Sequence, residues 1–235
     1  MALSETQKST ILSKAQEWFV SSIAESHITN TEKLSNPDSF NINPFLSTYL
    51  ANYLTGNSDK ESIAKALIYP RVLGTSITTS FGTHIQRFAN DVLDSFGSTT
   101  SGIDIEFIDQ VDGDKKYCQL KSGPNTINKD DVETIAGHFS SVISLGRTNN
   151  LKIHHDQMIV GLIYGERGEI NSHYKRITSQ YYFPVFSGAD FWHRLTGDED
   201  FYADLAEAIG AVAIKSNYKE NLDQVIKKLA KNLPD

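Results

Sequence analysis

Two carboxylates, an amide and an ammonium sit at even spacing within GIDIEFIDQVDGDKKYCQLKSGPNTINKDD, the stretch from Gly102 to Asp131: Asp104 and Glu106, then Gln119 and Lys121. Residues two apart on a strand share a face, so each pair projects its polar groups to one side. A carboxylate beside an ammonium and an amide can hold a hard cation and orient a water, which is what phosphodiester hydrolysis requires. The same spacing also suits a plain amphipathic hairpin with a solvated polar face.

The element that must position these groups is a β-hairpin feeding a helix. Asp112-Gly113 is a strong turn signal, because a type I′ turn needs positive φ at both central residues. On the first strand Ile103, Ile105 and Phe107 alternate with the acids; on the second Cys118 and Leu120 alternate with Tyr117, Gln119 and Lys121. A two-residue loop pairs Val111 with Asp114. It thereby places Asp104 opposite Lys121 and Glu106 opposite Gln119, with directly opposed Cβ atoms roughly 5 Å apart. In this register Glu106 is placed to add a second negative charge beside Gln119, although a solvated strand glutamate reads the same way. Beyond Ser122-Gly123-Pro124 a helix opens with Asn128 as its N-cap and Val132, Ile135, Ala136, Phe139, Val142 and Ile143 on its apolar face. Its free N–H groups form a seat for a phosphate just past Lys121.

Asp104 followed by Gln119-Leu120-Lys121 resembles the PD-(D/E)XK nuclease motif, with Gln119 standing where the family usually has Asp or Glu. CQLKSGPNTINKDD, with PRVLG before it and GADFW after it, is similar to type II restriction endonucleases that cut sites of the RGGNCCY or GGNCC kind. The resemblance runs over roughly residues 40 to 210. It implies an α/β fold, a PD-(D/E)XK core of mixed central sheet flanked by helices, here with an N-terminal helical extension. It implies Mg²⁺ held by Asp104 and the Leu120 carbonyl, with Gln119 and Lys121 as further catalytic residues; Glu106, by its register opposite Gln119, is read as the second acid on the ion and a further catalytic residue. It also implies a homodimer on a short palindromic site in double-stranded DNA.

The rest of the chain is compatible. It has 235 residues, 39% hydrophobic and 22% charged, enough for one α/β domain with additions or for two small ones. No run is long enough to span a bilayer and no signal peptide is read at the start, so no membrane partner is expected. Cys118, the single cysteine, forbids an intrachain disulfide and fits a reducing cytoplasm. The net charge of −7 requires a DNA reader to gather its cations on one side.

In order, apolar periodicity predicts a helix over residues 4–26, a loop to Pro44, a helix from Phe45 to Leu54, and another from Glu61 to Tyr69 stopped at Pro70. Residues 1–75 are thus read as a helical region that is either ordinary core or a dimer surface, 76–215 as the catalytic core and 216–235 as a C-terminal helix. One helix is expected over 80–96, carrying Gln86 and Asp91 near the site. MIVGLIY, 158–164, reads as a buried central strand. Residues 165–180 read as a basic loop, and 181–186 as a strand whose Pro184 marks an edge or bulge. His154-His155 has no third ligand in spacing and reads as surface loop.

Candidate DNA contacts are Asn125, Thr126, Asn128 and Lys129 at the helix start, for which turn and cap chemistry is the simpler account, and Arg167, His173, Lys175 and Arg176 in the basic stretch. Three other readings compete: a repair or structure-specific nuclease of the same fold, a catalytically inactive DNA-binding protein with Gln119 as the scar, and a protein-interaction domain.

Overall fold

A computed structural model describes residues 3–234, apart from the side chains of residues 75, 76 and 78. Two compact units emerge: one runs to Trp18 and resumes over Phe81–Ala208, the other joins Phe19–Ser80 to the residues from Ile209 onward.

The first unit is built on a sheet in the order β1 (Ile105–Ile108), β2 (Lys115–Lys121), β3 (Met158–Leu162), β4 (Val185–Ser187). The β1–β2 pair is antiparallel and the other two are parallel. The apolar run 158–162 is buried at every residue, as an inner parallel strand must be. One sheet face packs on α7 (Lys129–Thr148) and α8 (Ser172–Tyr181), where Val132, Ile135, Phe139, Met158, Val160, Leu162, Tyr174 and Ile177 share a core. On the other face Phe107 meets Phe191 of α9 (Gly188–Thr196) edge-on. Gly161 lies so close beneath the Phe191 ring that no Cβ fits there.

The hairpin register differs from the sequence expectation. Ile105 pairs with Cys118 and Glu106 with Tyr117, and continuing that register sets Asp104 opposite Gln119. The shift is two residues, so every side chain keeps its face. Its cause lies outside the turn. Asp109, fully buried, closes a longer loop by donating its N–H to the Asp114 carbonyl and accepting from Gly113 N–H, both at 2.9 Å. Its carboxylate takes the Val111 N–H at 2.8 Å and the Arg194 guanidinium of α9 at 2.8 Å. Burial alone would lower the Arg194 pKa; the Asp109 carboxylate, with Asp190 beside it, more than reverses this and raises it. A long-range ion pair has overruled a local turn preference.

Asn128 caps α7 through a capping box with Asp131. The stretch read as a basic loop instead holds α8, capped by the Asn171 side chain, which accepts from the N–H groups of His173 and Tyr174. The strand expected over 181–186 shortens to β4 at the sheet edge. The helix expected over 80–96 is two: α5 (Thr75–Thr83) and α6 (Ile85–Asp91). The first is TSITTSFGT, a composition of low helix propensity.

The first helix runs on further than expected: α1 (Glu5–Phe19) continues through a π-helical stretch (Val20–Ala24) into α2 (Glu25–Lys33), which belongs to the second unit. The next helix, α3 (Pro44–Thr55), is capped by Asn43 and stopped by Gly56 at φ 81°. Helix α4 (Lys60–Val72) passes through Pro70, because Val72 is buried one turn beyond Ile68 in a core shared with α2's following residue Leu34 and with the C-terminal helix (Tyr218–Asn232). Helix α3 packs its small residues Ser47 and Ala51 inward. Phe45, Leu46, Tyr49, Leu50, Tyr53 and Leu54 face out, Phe45 at 85% and Tyr53 at 80% exposure. Among the described residues no helix is long and apolar enough to cross a membrane.

Candidate active site

The rung at Asp104 carries the site. Asp104 N–H donates to the Cys118 carbonyl at 3.0 Å, and its carboxylate Oδ2 accepts the Leu120 N–H at 2.7 Å. The acid is therefore locked onto β2, and among the described residues its other oxygen has no hydrogen-bond partner. The Leu120 carbonyl leaves the strand on the same edge as its N–H, toward Asp104. Asp104, Gln119, Leu120 and Lys121 line one cleft of about 340 Å³ with Gln86, Gly102, Asp131, Thr134 and His138.

Gln119 is buried. Its Nε2 donates to the Gly102 carbonyl and lies 2.8 Å from His138 Nδ1. The amide nitrogen's two protons thus have two acceptors. The negative field of Asp104 is felt behind the strand as well. Burial foremost, and then that carboxylate, push the Cys118 thiol well above its ordinary pKa, so the only cysteine stays a neutral core residue.

Glu106 is not on the cleft wall. Opposite Tyr117 rather than Gln119, it accepts from Ser98 Oγ at 2.6 Å and Thr100 Oγ1 at 2.7 Å and pairs with Lys115 Nζ at 2.6 Å. Burial raises its pKa, and Lys115 with the two hydroxyls reverses this to leave it below the ordinary value. The charge expected beside Gln119 is engaged with Lys115 instead.

Among the described residues no three His, Cys, Asp or Glu side chains gather to hold a metal. The donor set at the Asp104–Leu120 rung is one carboxylate, one carboxamide and a peptide carbonyl, with a second carboxylate, Asp131, on the cleft wall accepting the Asn128 N–H. All are hard oxygens, the donors a Mg²⁺ ion takes while keeping several of its waters, so the residues present fit such an ion.

The candidate DNA contacts fall into two groups. Asn125, Thr126, Asn128 and Lys129 are exposed at the start of α7. Asn128 Oδ1 accepts from the N–H groups of Asp130 and Asp131, and Thr126 bonds Gly123 and Tyr174, so two of the four already serve the fold. Arg167 and Lys175 line a larger cleft of about 820 Å³ beside the edge strand β4. Arg176 pairs with Glu133 at 3.7 Å and donates to Gln180 at 2.6 Å, while His173 is half-buried. The two groups are stitched together by Asn171 N–H to the Pro124 carbonyl and Tyr174 Oη to the Gly123 carbonyl, both 3.1 Å.

Sequence reasoning missed Asp131, Thr134 and His138 as cleft residues. Their signal was available: they lie at i, i+3 and i+7 on the helix that follows the lysine strand, hence on one face. Gln86 is on the cleft wall, whereas Asp91 is bonded to Arg87 at 2.9 Å and is not.

No curated protein gives a significant match to the chain. The model of one protein family, described as Type II restriction endonuclease EcoO109I, matches residues 16–217.

Proposed function

The chain belongs to the type II restriction endonuclease EcoO109I family, and on that premise we propose that it is a Mg²⁺-dependent enzyme of PD-(D/E)XK type that cuts double-stranded DNA at a short palindromic site. Family membership gives the coarser statement, a hydrolase that binds and cleaves DNA. The observation that carries the finer one is the Asp104–Leu120 rung, with Gln119 and Lys121 on the same cleft wall.

Asp104, the Leu120 carbonyl and Gln119 Oε1 would hold the ion. When bound, Mg²⁺ polarises the scissile phosphate and makes its water a better nucleophile. Lys121 orients the attacking water and stabilises the charge that develops on the phosphate oxygens. Its place beside the acid follows from the antiparallel pairing of β2 with β1, which Asp104 immediately precedes, so the two groups are set by neighbouring strands. Asn125, Thr126, Asn128 and Lys129 at the α7 N-terminus, with Arg167, His173, Lys175 and Arg176, are the proposed DNA-contact surface; Arg167 and Lys175 share one cleft and are best placed. Glu106 we assign to holding the hairpin.

A homodimer acting on a two-fold site is supported by α3. A helix with no charged residue that turns six large apolar side chains outward offers roughly 700 Å² on aromatic-sized areas, close to the ~800 Å² per partner of a standard interface. We place the active protein in the cytoplasm, in keeping with a single buried thiol.

The test is digestion of phage and plasmid DNA with and without Mg²⁺ by wild type, Asp104→Ala and Lys121→Ala. Discrete Mg²⁺-dependent fragments, lost in both variants with melting temperature retained, are expected. Random degradation would favour a repair-type nuclease, and specific binding without cleavage a reader that has lost its chemistry.

A further inference from the structure

Gln119 stands where related nucleases place an acid, and its surroundings are those of an amide. Its Nε2 faces two acceptors, the Gly102 carbonyl and His138 Nδ1 at 2.8 Å. A glutamate here would set a carboxylate against the Gly102 carbonyl. The partner ring is itself fixed: Gly102 holds φ 79°, and a Cβ on it would lie 2.8 Å from His138 Cγ, so the imidazole is packed against bare backbone. His138 comes from α7 on the face that also brings Asp131 and Thr134 to the cleft.

We propose that His138 is a positioning residue of the cleft: together with the Gly102 carbonyl it anchors the nitrogen of Gln119 and so presents Oε1 as a neutral oxygen ligand for the divalent ion. The amide nitrogen has two protons and both are taken, which leaves Oε1 as the polar atom Gln119 can offer. For Nδ1 to accept, the imidazole is neutral and carries its proton on Nε2. On this account Gln119 is a working part of the site with its own supporting residues. The inference rests on the ion-binding reading of the cleft and extends it to a residue outside the strand motif.

The experiment is titration of the full-length protein with Mn²⁺, an ion that accepts the same oxygen ligands, with free ion followed by its EPR signal. Asp104→Asn, which keeps an oxygen for the Leu120 N–H, is the control on the reading itself. Removal of an orienting partner costs about 10–100-fold in metal affinity. His138→Ala is therefore expected to weaken Mn²⁺ binding at least about tenfold. His138→Asn, whose Oδ1 replaces the Nδ1 acceptor, should stay within about threefold of wild type. In a Gln119→Met background, which has neither amide atom, His138→Ala should cost nothing further, since residues acting through one another are not additive. In cleavage assays the loss should appear in kcat at saturating DNA, with KM for DNA unchanged.

His138→Ala binding Mn²⁺ like wild type while Asp104→Asn loses it overturns the positioning role alone. Asp104→Asn binding like wild type overturns the ion-site reading and the inference with it. Melting temperatures are read in parallel. If His138→Ala does not fold, His138→Asn decides: a tenfold loss in that folded variant overturns the proposal, and retention within threefold meets it.

Discussion

Arg194→Met should unlatch the hairpin that sets the register of the site. Arg194 Nη1 lies 2.8 Å from Asp109 Oδ2, and Asp109 is wholly shielded from solvent while the Arg194 side chain is 18% exposed. Removing one partner of a buried pair strands the other charge, at a cost of about 3–5 kcal/mol. Asp109 retains the N–H of Val111 at 2.8 Å and, more weakly, that of Asp112 at 3.4 Å, which places the cost at the lower end, about 3 kcal/mol. For a chain of this size each kcal/mol lowers Tm by about 2–4 °C, so calorimetry should record a fall of about 6–12 °C. Asp109→Asn keeps an acceptor for the two N–H groups and removes the buried charge. In the double variant Arg194→Met then leaves nothing stranded, and its melting point should lie above that of Arg194→Met alone. Arg194→Met melting within about 2 °C of wild type, or the two losses simply adding, would show that the ion pair does not hold the loop.

Lys116→Met offers the contrasting case. Lys116 is buried and pairs with Asp112 at 2.8 Å, but Asp112 is 39% exposed and also faces Arg194, so no charge is stranded and the loss should stay below about 1 kcal/mol in urea unfolding. For acid, Glu106 sits below its ordinary pKa, so its contribution is present above the unfolded carboxylate value of about 4.3 and is lost as pH falls through the folded one. Glu106→Gln should accordingly show a smaller drop in Tm between pH 6 and pH 3 than wild type, and equal drops would refute the assignment of Glu106 to the hairpin. Gly161→Ala forces a methyl into the Phe191 ring and the Cys118 sulfur, and should cost about 1–3 kcal/mol by overpacking in the same urea assay. Tyr53→Glu, on the exposed face of α3, should shift the proposed dimer to monomer in sedimentation while leaving its melting curve intact at low concentration; an unchanged mass would refute α3 as a dimer contact.

Much of the site was legible because it is written within one strand and its neighbour. Asp104, Gln119 and Lys121 reach the same cleft under either hairpin register, since period two preserves the face. The capping box of Asn128 and the buried run of β3 are likewise local signals and appear as read. What failed needed information from far along the chain. The Asp112-Gly113 signal is genuine, and Gly113 does take φ 80°, but Asp109 had a better partner in Arg194. Helix α8 was hidden because it buries only Tyr174 and Ile177, too few apolar residues to announce a helix among polar ones. Pro70 was read as a stop on local grounds that tertiary packing of Val72 overrode. His138 escaped notice because its role depends on Gly102, a loop residue whose position follows only from the folded hairpin.

The bond from the Leu120 N–H to Asp104 bears on when this protein becomes dangerous to DNA. The acid and the peptide whose carbonyl would share its ion are joined as one rung of the sheet, so no part-folded chain can hold one without the other. Helix α7, which supplies His138, and β3, which pins β2 from its second side at Tyr117 to Lys121, are both later in the sequence. During synthesis the hairpin emerges as a bare two-stranded ribbon, marginal in water on its own, and gains its support only after about forty more residues have followed. The proposed cutting centre is thus withheld until α7 and β3 have been made.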